Sequence, residues 1–112
     1  MTARNLPPRA VGYRDAVAAA REAMAATLYG IETVFVALAT AAMKGETFHV
    51  ITPPAPFDLQ HTTAAKALCE ALRREGCTYV WERRDHPRGG EEEPFFDLVV
   101  RWDAQPNTKS VL

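Results

Sequence analysis

A chain of 112 residues, 47% apolar and 24% charged with a formal charge of −1, has room for one domain. Its near-neutral balance supplies no global attraction to nucleic acid or acidic lipid. Cys69 and Cys77 stand eight apart without a pairing pattern, which fits small apolar side chains in a reducing compartment.

Residues 1–12, MTARNLPPRAVG, lack the apolar run of a secretory signal, so the expectation is a protein that is not secreted and stays in a reducing, cytoplasmic-type compartment. Pro7 and Pro8 favour an extended arm, and Gly12 punctuates it. From Tyr13 to Lys44 the pattern becomes that of one long helix. Val17, Met24, Ile31 and Leu38 recur every seven residues, with Leu28 and Phe35 in the intervening steps. At about 1.5 Å per residue this rod would reach about 48 Å, against a radius of gyration of about 13 Å for a domain of this size. It therefore either projects from the domain or crosses past its edge.

The back of the rod, with Ala19, Glu22, Ala26, Tyr29, Thr33, Ala37 and Thr40, is small and weakly polar where a solvated face would carry paired charges. Gly30 costs about 1 kcal/mol inside a helix, which a tight contact or a kink would rationalise. From Ala23 to Met43 only Glu32 is charged, so a membrane span has to be weighed. The aliphatic and aromatic residues there contribute about −0.3 to −0.6 kcal/mol each, and a mid-span carboxylate costs about +2.5 to +3.5. The sum lies near zero, and a helix outside the membrane is the expectation.

Lys44-Gly45 closes the rod, and residues 47–52, TFHVIT, form a strand that stops at Pro53-Pro54. A second helix covers residues 59–75, capped by Asp58 or Thr62, with Ala64, Ala65, Leu68, Ala71 and Leu72 inward and Lys66, Glu70, Arg73 and Arg74 outward. Gly76 ends it. Strands follow at 77–82 and 95–102, separated by a loop rich in charge, with a polar tail at 104–112. The fold class is α+β: a long helix, then β-α-β-β in a three-stranded mixed sheet with both helices on one face. The first two strands would pair in parallel through a crossover and the last two as a hairpin, leaving His49 and Ile51 on the open face. Two free edges and an open face favour a partner.

Three segments, AAMKGETFHVI, ALRREGCTYVW and FFDLVVRWD, carry a resemblance over roughly residues 30–103. In that order the chain resembles small uncharacterised α/β proteins of large DNA viruses and tailed phages. Those have a long helix ending in a glycine turn, a strand, a short helix closing in Leu-x-x-x-Gly, and a terminal strand with aliphatics before Trp. The resemblance implies a fold and a viral origin, hence a virion component or infected-cell factor, and no catalytic residues. Cys77 stands where an aromatic residue is commoner.

Residue chemistry adds no catalytic constellation. His49, His61, His86, Cys69 and Cys77 lack the short spacing of a metal site, and no phosphate-cradling loop occurs, so neither metal nor cofactor is expected. Glu91, Glu92 and Glu93 fall in a flexible acidic loop. The first functional expectation is a non-enzymatic structural or accessory protein that forms a homo-oligomer through Val17, Met24, Leu28, Ile31, Glu32, Phe35 and Leu38. Glu32 would set register or partner choice. The second is a single-stranded nucleic-acid binder using Arg73, Arg74, Arg83, Arg84 and Arg88, with Tyr79 and Trp81 stacking on bases from the open sheet face.

Overall fold

The computed structural model describes residues 9–89 and 91–103. The tail expected at 104–112 and the first eight residues of the expected arm lie outside them. The N-terminal rod is present but in two pieces, α1 over Arg9–Leu28 and α2 over Ile31–Met43. Helix therefore begins earlier than expected: residues 9–12 are helical, and Gly12 is tolerated within the first turn rather than ending an arm.

At Gly30 the backbone leaves the helix, with φ −56° and ψ 129°. Helical hydrogen bonding continues up to the break, Tyr29 N–H donating to Ala25 C=O at 2.7 Å, and resumes after it, Val34 N–H donating to Gly30 C=O at 2.9 Å. The consequence is one of phase. The buried positions are Ala25 and Tyr29 before the break and Val34, Leu38 and Ala41 after it. In an unbroken helix at about 100° per residue these two sets would lie on opposite sides. The break brings them to the same core. Tyr29, placed by the periodicity on the back of the rod, is thereby a core residue at 1% exposure.

Both remaining helix ends follow their local chemistry. Gly45 and Gly76 adopt positive φ, 91° and 85°. Glu46 N–H returns to Ala41 C=O and Cys77 N–H to Leu72 C=O, so each glycine permits the same turn that satisfies the last carbonyls. The third helix, α3, spans Thr63–Arg74. Thr62 is its cap, accepting from Ala65 N–H at 3.2 Å, while Asp58 instead accepts from Gln60 N–H. Ala65, Leu68, Ala71 and Leu72 are buried as the pattern predicts, joined by Cys69.

The strands are β1 over Phe48–Ile51, β2 over Thr78–Arg84 and β3 over Phe95–Arg101. Their order is β1-β3-β2, and β3 is antiparallel to both neighbours. This corrects the mixed sheet: β1 and β2 run the same way but never touch, because β3 lies between them. The physical reason is in the strands themselves. β3, FFDLVVR, is the least charged of the longer two and takes the doubly paired centre, whereas β2, TYVWERR, carries its charges to an edge. Arg83 and Arg84, expected in the loop, extend that edge.

Register fixes the faces. His49, Val100 and Tyr79 form one row across the sheet, and Ile51, Leu98 and Trp81 the next on the same side. Ile51, Leu98 and Val100 join Ala25, Tyr29, Val34, Leu38, Leu59, Ala65, Leu68 and Leu72 in one core, with Tyr79, Trp81 and Trp102 packed against it. Ile51 is thus buried and His49 half-buried on the helix-covered side, and neither is on the open face. The open side instead carries Phe48 and a row of three valines, Val50, Val99 and Val80.

Tyr29 meets Trp81 edge to face, ring centroids 5.8 Å apart at 87°. Its hydroxyl is buried without a partner among the described residues. Burial above all, then the charges of Asp58, Cys69 and Asp97, push that hydroxyl far above its ordinary pKa. Ring and hydroxyl therefore act in opposite directions on stability. Tyr29→Phe should leave the unfolding free energy unchanged or raise it by up to about 1 kcal/mol, and Tyr29→Ala should lower it by about 3–5 kcal/mol. Urea denaturation of the three proteins measures both.

Candidate self-association surface

The first half of α1 stands clear of the body. From Arg9 to Ala20 every residue is exposed except half-buried Val11. Accordingly the radius of gyration is 18.1 Å and the longest dimension 70 Å, well beyond the roughly 13 Å radius of a compact domain of this length.

The body takes hold of α1 at its middle, through side chains. Arg21 makes a two-pronged contact with Glu93, Nη1 to Oε2 and Nη2 to Oε1 both at 3.0 Å, and its guanidinium lies 4.9 Å from the Phe57 ring centre. Glu93 also accepts from Asp58 N–H. One residue on, Glu22 accepts from Thr63 N–H at 3.2 Å, at the start of α3. Glu93 is therefore an anchor, where a flexible acidic loop was expected. The Arg21 hydrogen bonds, helped by its charge and by Asp58 N–H, hold the Glu93 carboxyl below the usual carboxylate range against the opposing effect of burial.

Beyond the anchor the sites expected from the heptad separate into three kinds. Val17 projects with the arm at 49% exposure, and Ile31 is 42% exposed on α2. Met24, Leu28 and Phe35 are partly covered by the protomer's own core. Leu38 is buried in that core, since the break turns its face inward, and shows only an edge to the groove between α2 and Trp102. Glu32 is exposed beside Ile31. Residues that the heptad missed complete the surface: Val36 at 65% exposure and Met43 at 85%. Their signal was composition, since α2 carries Glu32 as its one charge over thirteen residues.

Together Ile31, Phe35, Val36, Ala39 and Ala42 line shallow apolar grooves along α2. The far wall is built by Ala71, Arg74 and Glu75 at the end of α3, then by Cys77 and Trp102. By length and composition Arg9–Met43 would also suffice to cross a membrane. Val34, Leu38 and Ala41, however, are committed to the protein core, and the Gly30 break falls inside the apolar stretch.

The arginines of the nucleic-acid expectation do not form one patch. Arg73 and Arg74 end α3, whereas Arg83 and Arg84 lie about 20 Å further along β2. Arg73 donates to the Tyr79 hydroxyl at 2.8 Å, Arg83 faces Asp85 at 3.5 Å, and Arg84 binds the fully buried Asp97 at 2.7 Å. Arg88 lies exposed in the following loop. Tyr79 and Trp81 sit partly buried on the helix-covered side of the sheet, not on its open face. Burial raises the thiol pKa of both Cys69 and Cys77, away from the reactive thiolate. Among the described residues no three His, Cys, Asp or Glu side chains are grouped as a metal ion requires.

Comparison with protein-family models, with curated proteins and with solved structures returns no match.

The Glu93 anchor carries a pH signature. A carboxyl whose pKa is depressed by folding stabilises the native state above its unfolded value, and this contribution is lost as pH falls through the folded one. Glu93→Gln should cost less than about 1 kcal/mol at neutral pH, as expected for a partly exposed pair. It should also flatten the acid limb of stability below about pH 4.3, the ordinary glutamate value. Urea midpoints of the two proteins across that range give the comparison.

Proposed function

We propose that this protein is a self-associating structural or accessory protein that assembles through its N-terminal helices. The observation that carries the reading is the pairing of a projecting α1 arm with an α2 surface that stays apolar where it faces solvent. Tyr13 and Val17 on the arm, and Ile31, Val36 and Met43 on α2, are all exposed. Singly exposed apolar residues are ordinary on a monomer, but a contiguous set along one element marks an interaction surface. The arm also contributes nothing to the protomer core, so its ordering is rationalised by a contact outside the protomer. The resemblance to small proteins of large viruses and phages would make it a virion component or infected-cell factor.

Sedimentation velocity at micromolar concentration tests the reading. The wild type should sediment as an assembly, and Ile31→Asp should weaken association at least about tenfold, because a buried unpaired carboxylate replaces an apolar contact. Ile31 is exposed in the protomer, so the variant should keep the wild-type urea midpoint when monomeric. A wild type that remains monomeric overturns the proposal. Flotation of that monomer with lipid vesicles would assign the α2 surface to a membrane instead.

A further inference from the structure

We infer that the projecting half of α1 from one copy lies in the α2 groove of a second copy, with Arg14 of the first facing Glu32 of the second. The inference rests on the self-association proposed above and specifies the contact that makes it.

Length supports the match. The exposed stretch Arg9–Ala20 spans about 18 Å, and the thirteen residues of α2 span about 20 Å. Periodicity supports it as well. Tyr13, Val17 and Ala20 follow one another at four and three residues along the arm, and Ile31, Phe35, Ala39 and Ala42 run along the groove at nearly the same steps. Such ridges interdigitate as helices in bundles do.

Charge decides which surfaces meet. The groove is rimmed by Glu32 and by Glu75, with Arg74 beside the latter. The arm carries Arg9 and Arg14 against a single Asp15. Among the described residues Arg9, Arg14, Glu32 and Glu75 take part in no ion pair within the protomer. Setting the Tyr13–Val17 step over the Ile31–Phe35 step, with the arm antiparallel to α2, brings Arg14 to the same flank as Glu32, whereas a parallel arm would put the two on opposite flanks. A second arm against the first would instead place its apolar stripe on a copy of itself, and the acidic rim of the groove would have no counterpart.

Charge reversal with exchange tests this contact separately from assembly itself. Arg14→Glu and Glu32→Arg should each weaken self-association about tenfold, because every contact then juxtaposes like charges. An equimolar mixture of the two variants should regain the wild-type dissociation constant, and so should the double variant, because both restore an opposite-charge pair at every contact. Both positions are exposed, so thermal unfolding of each single variant checks that the fold is kept. If the wild type assembles and the single variants are unaffected, or the mixture and double variant fail to recover, the arm-in-groove contact is wrong while self-association stands. If the wild type does not assemble, both fall.

Discussion

A single backbone departure at Gly30 governs this molecule. The residues that cover the sheet lie on two helical segments whose apolar faces would point about 180° apart in a continuous rod. The break at Tyr29-Gly30 removes the conflict, so that Tyr29, just past the end of α1, and Val34 on α2 reach the same core. Glycine suits the position sterically, since a Cβ there would lie 3.3 Å from the Ala26 carbonyl oxygen. The fold of the C-terminal two thirds, with its sheet and α3, depends on that change of phase for its cover.

The same departure explains the division of labour along the rod. Leu38 is drawn into the protomer, while Ile31 and Val36 are turned toward solvent. On the other side of the break, only the last part of α1 reaches the body, secured by Arg21 to Glu93 and Glu22 to the start of α3. Among the described residues, what remains is an arm that nothing covers and a groove that nothing fills. The proposed assembly joins these two surfaces by supplying each with the other.

Much of the local architecture was legible because local chemistry dictates it. The inward set Ala65, Leu68, Ala71 and Leu72 and the glycine turns at Gly45 and Gly76 follow from spacing and residue type, whereas the choice of Thr62 over Asp58 as cap was left open by them. Three features were not legible. The heptad from Val17 to Leu38 assumes one unbroken phase, and a half-turn slip within it leaves the spacing looking regular. The central place of β3 depends on burial from two neighbours, which strand propensity alone does not encode. Arg21 and Glu93 are 72 residues apart, and nothing nearby in sequence announces their pairing. Of the interface expectation, Val17, Ile31 and Glu32 remain exposed, whereas Leu38 is mostly taken up by the core and only borders the groove.

The freedom of the α1 arm has a consequence for how such a chain can change. Because none of the described residues before Arg21 belongs to the core, residues can be gained or lost between Arg9 and Ala20 without disturbing the sheet or its cover. Each addition would advance the tip by about 1.5 Å and swing its contact face by about 100°. Insertions of seven would thus lengthen the reach while nearly preserving the direction of approach, and insertions of two would point the tip at an altogether different neighbour. The arm is in effect a ruler with a built-in compass, able to be recalibrated while the domain that carries it stays the same.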